Sequence, residues 1–183
     1  AALLRDVAES LRPVAEEKGL AIVDRVPEHD LYVVGDSDGL IRLFLNLLHN
    51  ALKYTEQGFI TVAAKAQGDD MVSVTISDTG VGIPAPELDR VFDEYYRGSS
   101  KGPRPRGFGL GLTIVRQISR LLGYTVKVES ELGRGTTFAL QVPAVHLVAT
   151  PEAVIDRPGP AVARLGVPKP AVLIVEDDAA VRD

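Results

Sequence analysis

The stretch 38–54 constrains this chain more than any other. Leu40, Ile41, Phe44, Leu45, Leu47, Leu48 and Leu52 recur at helical spacing and make a wide apolar face. A helix of this kind must bury that face against another layer. Asp36 or Ser37, just ahead of it, can cap its first turn. The segments beyond this helix are strand-like. Segments 59–66 and 71–77 flank the turn signal QGDD, and segments 124–130 and 136–142 flank ELGRG. Two pairs of adjacent strands, without strict βαβ order, predict an α+β fold: a two-layer sandwich of helices on a mixed sheet.

The remaining segments fill in that plan. Leu3, Leu4, Val7, Leu11 and Val14 predict a helix over 2–18, ended by Gly19. Residues 20–26 read as a strand and 31–34 as a second, short one. A short helix is predicted over 86–95 and a longer one over 110–122, stopped by Gly123. Between these helices, 97–109 (RGSSKGPRPRGFG) holds Gly, Pro, Ser and basic residues and reads as a mobile loop. The domain plan is a first domain over 1–143, a Pro/Ala-rich linker over 144–170 and a further segment over 171–183. That last segment opens with AVLIVE, an apolar run suited to a buried parallel strand.

Composition narrows the chemistry. The 183 residues include no Cys, which rules out disulfides, thiolate metal sites and cysteine nucleophiles. There is no Trp and few aromatics, so the core must be aliphatic. A formal net charge of -5 gives no general attraction to nucleic acid or anionic membranes. No apolar stretch approaches the roughly 20 residues that span a bilayer. The first residues, AALLRDVAES, lack the basic and apolar regions of a signal peptide.

Four short motifs carry the chemistry. In 46–55 (NLLHNALKYT), Asn46, Asn50, Lys53 and Tyr54 fall near one helix face. A carboxamide oxygen suits a hard cation such as Mg²⁺, and a lysine suits phosphate. In 78–83 (DTGVGI), a carboxylate at a strand end can accept from an exocyclic amine, and glycines admit close backbone approach. In 107–112 (GFGLGL), a glycine-rich turn opens a helix, where backbone N–H groups suit phosphate oxygens. The context excludes a dinucleotide fingerprint, since a basic loop rather than a strand precedes it. In 133–138 (GRGTTF), a glycine turn enters the last strand.

In order and spacing these motifs, with 91–97 (VFDEYYR), resemble the N, G1, F, G2 and G3 boxes of the histidine kinase catalytic domain. That domain has the Bergerat fold, shared with type II topoisomerases, ninety-kilodalton heat-shock chaperones and mismatch-repair ATPases. The resemblance covers about 1–143. It implies ATP and Mg²⁺ as ligands. By the resemblance, Asn50 would ligate Mg²⁺ and, with Lys53, serve phosphoryl transfer; Asn46 would support that face. Tyr54 would stack near the adenine, and Asp78 would accept its amino hydrogen bond with Thr136 assisting. Gly80, Gly82 and Ile83 would shape the base pocket. Residues 97–109 would form a lid. Tyr96, Arg97, Arg106, Gly107, Gly109, Leu110, Gly111 and Leu112 would line the phosphate side, with Lys101 and Arg104 as further basic candidates.

The related ATPases place a Glu four residues before the Mg²⁺-binding Asn, as the base that activates water. This chain has Asn46 there, which predicts poor hydrolysis and a stronger nucleophile, a histidine nitrogen. None of His29, His49 and His146 lies in the family's phosphoacceptor motif, so each is read as a plain surface or core residue. The resemblance therefore places the dimerisation and phosphoacceptor helices ahead of residue 1, with a homodimeric parent protein. The tail adds a second resemblance: 171–178 (AVLIVEDD) is similar to the first strand of a receiver domain, whose acidic pair Glu176 and Asp177 would hold Mg²⁺. That makes the parent a hybrid kinase, passing phosphate from ATP to His to Asp. Expected partners are the phosphoacceptor domain and a receiver or response regulator, not nucleic acid. The domain is expected in the cytoplasm, with membrane anchoring of the parent left open. The alternatives are a Bergerat-fold ATPase and a degenerate nucleotide-binding regulatory module.

Overall fold

A computed structural model of the chain describes residues 2–29, 31–68, 70–96 and 109–145. Five strands, β1 (Ala21–Arg25), β2 (Phe59–Gln67), β3 (Met71–Asp78), β4 (Thr125–Glu131) and β5 (Gly135–Pro143), form one sheet in the order β1-β2-β3-β5-β4. β1 runs parallel to β2, and the other three pairings are antiparallel. This is the mixed sheet of an α+β sandwich. Strand alternation sets its two faces. Ile60, Val62, Val72, Val74, Ile76, Phe138, Leu140 and Val142 are buried, while the alternating Thr61, Thr75, Ser77, Thr137 and Gln141 are only partly covered.

The helix α3 (Ser37–Tyr54) covers the apolar face, against β2 and β3, with α1 (Ala2–Ser10) and α4 (Gly111–Leu122) beside it. Its buried residues Leu40, Leu43, Phe44, Leu47, Leu48, Ala51 and Leu52 match the predicted stripe and merge with the sheet in one core. Of the two capping candidates Asp36 is used: its Oδ2 accepts from Gly39 N–H at 2.6 Å. At the other end the Lys18 Nζ donates to Leu52 O at 3.0 Å, placing a cation at the negative end of the helix. Helix α4 (Gly111–Leu122) ends at Gly123, a left-handed cap with φ 72°, as predicted.

Three expected elements differ. The helix over 2–18 is two, α1 (Ala2–Ser10) and α2 (Arg12–Glu17), joined at Leu11. Pro13 lies in the first turn of α2, where its missing N–H costs nothing, whereas inside a continuous helix it would break one bond. Residues 31–34 make only an isolated bridge, Val33 to Ala144, rather than a strand. The helix over 86–95 is absent. A single 3₁₀ turn at Ala85–Glu87 is followed by turns joined by Arg90 N to Glu87 O at 2.9 Å and Asp93 N to Arg90 O at 2.9 Å. Pro84 and Pro86 remove donors at its start, and Tyr95 takes φ 59° at its end, so no α-helical ladder forms. None of the described helices is long and apolar enough to cross a membrane.

Candidate functional site

The polar residues of α3 emerge where the first turn of α4 crosses it. A Cβ on Gly111 would lie 3.3 Å from Asn46 Oδ1 and 3.6 and 3.7 Å from Asn50 Nδ2 and Oδ1. The predicted first and third motifs therefore meet in space. Asn46 Nδ2 donates to Arg42 O at 2.7 Å, which leaves Asn46 Oδ1 on the Gly111 side. Asn50 Nδ2 is buried and has no partner among the described residues. A buried amide without a partner is costly, and costs of this kind are retained where a ligand supplies the missing group. The start of α4 has no side-chain cap, so its first N–H groups add a positive helix end to the same cleft.

These donors fit a metal that arrives with a polyphosphate. Among the described residues no group of three or more His, Asp or Glu could hold a cation alone. Two carboxamide oxygens beside a helix N-terminus suit Mg²⁺ only when phosphate oxygens complete the coordination. Lys53, one turn beyond Asn50, holds its Nζ over the Tyr54 ring at 4.8 Å from the centroid. Tyr54 itself is 41% exposed, so this ring offers surface to a ligand.

The second part of the site is built around Asp78 at the end of β3. Its Oδ1 accepts from Gly80 N–H at 2.9 Å and from Thr136 N–H at 3.3 Å. Both bonds fall on one oxygen, and none of the described residues donates to Oδ2. Burial pushes the Asp78 carboxyl above its usual range, against the two backbone N–H groups that lower it. Such a group, buried and with one oxygen that no described residue bonds, is suited to accept from a ligand N–H. The walls are held by backbone. Val81 N–H donates to Tyr54 O at 3.1 Å, joining the 78–83 turn to the end of α3. Gly133 N–H donates to Val81 O at 2.8 Å, and Ile83 N–H to Ser130 Oγ at 2.7 Å, joining it to the β4–β5 turn. Thus the first, second and fourth motifs also form one assembly. Gly82 has φ 71°, and a Cβ there would collide with Glu131 O, so this turn closes only on glycine.

The 91–96 segment braces α4. Phe92 packs edge-on to Phe138, with ring centroids 6.3 Å apart. Thr113 Oγ1 donates to Phe92 O at 3.2 Å, and Arg116 pairs with Asp93 at 3.3 Å. Thr113, Arg116 and Ser130 are site supports that the motif reading missed. Ser130 carried one signal, its place in the alternating strand 124–130. Tyr96 contacts Arg90, whose guanidinium lies 4.8 Å from the ring centroid, and partial burial with a hydrogen bond to Glu87 raises its phenol. A Cβ on Gly109 would lie 3.0 Å from Tyr96 O, so the chain returns beside the point where it left. Leu110 is exposed, while Leu112 turns toward the core. Arg97, Lys101, Arg104, Arg106 and Gly107 lie outside the described residues, as do Glu176, Asp177 and His146. His29 and His49 are exposed.

Residues 35–146 match the family model described as histidine kinase-, DNA gyrase B-, and HSP90-like ATPase, and the chain belongs to that family. Its matched relatives are sensor histidine kinases. It is 38% identical over 149 residues to the aerobic respiration control sensor protein ArcB of Escherichia coli (strain K12), covering 79% of this chain and 18% of that protein. It is 37% identical over 145 residues to the histidine protein kinase DivJ of Caulobacter vibrioides, covering 77% of this chain and 24% of that one. The chain thus spans less than a third of the length of these two relatives. Among solved structures, full-length ShkA in complex with AMPPNP superposes with TM-score 0.72 at 34% identity, over 81% of this chain and 30% of that one. The mycobacterial sensor histidine kinase MprB superposes with TM-score 0.69 at 29% identity, over 78% of this chain and 94% of that one. The fold is that of the catalytic ATPase domain of histidine kinases.

Proposed function

We propose that this chain binds ATP with Mg²⁺ and gives up the γ-phosphoryl group to a histidine on a separate dimerisation and phosphoacceptor domain. Asp78 takes the adenine amine, with Thr136 beside it, and Tyr54 offers a stacking surface. Asn50, supported by Asn46, would hold the Mg²⁺, which when bound would supply charge neutralisation to the phosphates. The first turn of α4 and Lys53 contribute further positive charge. The chain's own work is positioning, as in other phosphoryl transfers. The AMPPNP bound in ShkA supports the nucleotide reading.

The observation that favours a histidine acceptor over water is the identity of residue 46. Its carboxamide oxygen faces Gly111, and it stands four residues before Asn50, the position where the related ATPases carry a Glu base. A carboxamide does not take a proton from water at neutral pH. The chain alone is therefore expected to release phosphate slowly from Mg-ATP. Asn46→Glu is expected to raise acceptor-free release about tenfold, a modest share of what general bases contribute. Phosphate release by a coupled assay checks this. Fast release by the unsubstituted chain, unchanged by Asn46→Glu, would favour the ATPase reading.

The segment 171–183 supports a longer relay. With Glu176 and Asp177 as the acidic pair of a receiver domain, phosphate would pass onward from histidine to aspartate, after a linker over 144–170. In this reading the parent is a homodimer that works in the cytoplasm.

A further inference from the structure

Ser130 lies on β4 opposite Thr136 and outside the glycine motif of 133–138. Three groups converge on its hydroxyl. Ile83 N–H donates to Ser130 Oγ at 2.7 Å, Gly135 O lies 2.7 Å away, and Thr136 Oγ1 lies 3.0 Å away. A serine hydroxyl has one proton and two acceptor lone pairs. Gly135 O can only accept, so the Ser130 proton goes there. The Ile83 N–H takes one lone pair. The Thr136 hydroxyl must then donate to the other, and its single proton is spent. Thr136 Oγ1 is left with lone pairs alone. Its backbone N–H meanwhile donates to Asp78 Oδ1 at 3.3 Å, on the neighbouring strand. Two side-chain acceptors, the Asp78 carboxylate and the Thr136 oxygen, therefore stand together.

We infer that Ser130 is a positioning residue that sets the proton order of the base pocket: it holds Thr136 as an acceptor, so that the site takes a purine bearing an exocyclic amine in preference to one bearing a carbonyl at the same carbon. The inference rests on the reading of Asp78 as the adenine acceptor. A carbonyl oxygen placed there meets two acceptors and no proton. Without the Ser130 hydroxyl, the Thr136 proton is free to turn toward the ligand and bond that carbonyl. The same substitution loosens Ile83 and Gly135, but that loss falls on both purines alike.

The test is calorimetric titration of the chain with ATP and with ITP, both with Mg²⁺, for the unsubstituted protein, Ser130→Ala, Ser130→Thr and Asp78→Asn. In Ser130→Ala the ratio of ATP to ITP affinity is expected to fall about five- to tenfold, the worth of one hydrogen bond. Ser130→Thr, which keeps the hydroxyl, is expected to retain the original ratio. Should Ser130→Ala not fold, Ser130→Cys, with a weak donor and acceptor, is read the same way. Equal losses for both nucleotides would make Ser130 a mere brace and overturn the inference. If ATP binding is weakened by Asp78→Asn yet the ratio ignores Ser130, the inference alone fails. If the unsubstituted chain binds no ATP, both it and the base-pocket reading fail.

Discussion

Asp78→Asn is expected to weaken ATP binding about 100-fold while leaving the unliganded fold as stable as before or more so. The affinity loss comes from replacing a carboxylate that accepts a ligand N–H with a carboxamide; hydrogen bonds to charged groups are worth about 1.5–3 kcal/mol. The fold keeps its contacts, because Oδ1 of an asparagine can still accept from Gly80 and Thr136 N–H. Stability moves the other way for an electrostatic reason. Burial raises the Asp78 carboxyl above its ordinary range. The folded state thus holds this proton more tightly than the unfolded state, and stability is lost as pH rises through the raised range. At neutral pH the buried charge is a net cost that Asn removes. The denaturation midpoint of Asp78→Asn should equal or exceed that of the parent at neutral pH, with the gap closing as pH is lowered. ATP affinity of the parent should fall on acidification sooner than for an ordinary carboxylate, since the protonated form no longer accepts. Calorimetry and denaturant titration at several pH values measure both halves. A midpoint well below the parent's at neutral pH would show that Asp78 is structural first.

Gly135→Ala should be the most damaging small substitution in the site. Gly135 has φ 107°, and a Cβ there would collide with Asp78 O, while Asp78 C would lie 2.8 Å away. Both atoms belong to β3 backbone, which cannot move without disturbing the β3–β5 ladder. Strain at this φ and forced overpacking together predict a loss of about 3 kcal/mol or more. For a chain of this size that lowers Tm by about 6–12 °C. Gly133→Ala is the control. Gly133 has φ 80° but open space around its Cβ position, so only the backbone strain applies, about 1 kcal/mol. Thermal unfolding of the two variants separates the collision from the strain. Equal, small losses would mean that the two strands can part locally.

Much of this architecture is written locally in the chain. The period of 38–54, the Gly123 stop and the alternation of the strands each name an element directly, and each formed. Failures came where proline outweighed an apolar pattern. Pro13 split the first helix, and Pro84 with Pro86 replaced a helix with turns. Residues 31–34 differ for another reason: among the described residues their pairing with the chain around Pro143–Val145 amounts to a single bridge, Val33 to Ala144. The parallel pairing of β1 with β2 and the edge place of β4 are long-range choices that no local pattern records.

The site was legible as residue types and illegible as geometry. Asn46, Asn50 and Asp78 announce themselves by motif. Nothing in the sequence shows that Gly111 lies beside the two asparagines, or that among the described residues Asn50 Nδ2 lacks a partner and no group donates to Asp78 Oδ2. The asparagine contacts depend on where α4 meets α3, and the Asp78 bonds on the pairing of β3 with β5 and the turn at Gly80. Ser130 was missed because a serine in a strand carries no motif; its meaning lies in three partners drawn from two other segments.

Transfer of the γ-phosphoryl group to histidine is the step on which the proposed function stands. It is measured by incubating this chain with γ-labelled ATP and Mg²⁺ together with dimeric helical hairpins of the sensor histidine kinase type, each carrying a His followed by an acidic residue. Label is expected on a hairpin, stable to base and labile to acid, and is expected to disappear with the Asp78→Asn chain. Label released only as inorganic phosphate, at a rate indifferent to every hairpin, would contradict histidine as the acceptor.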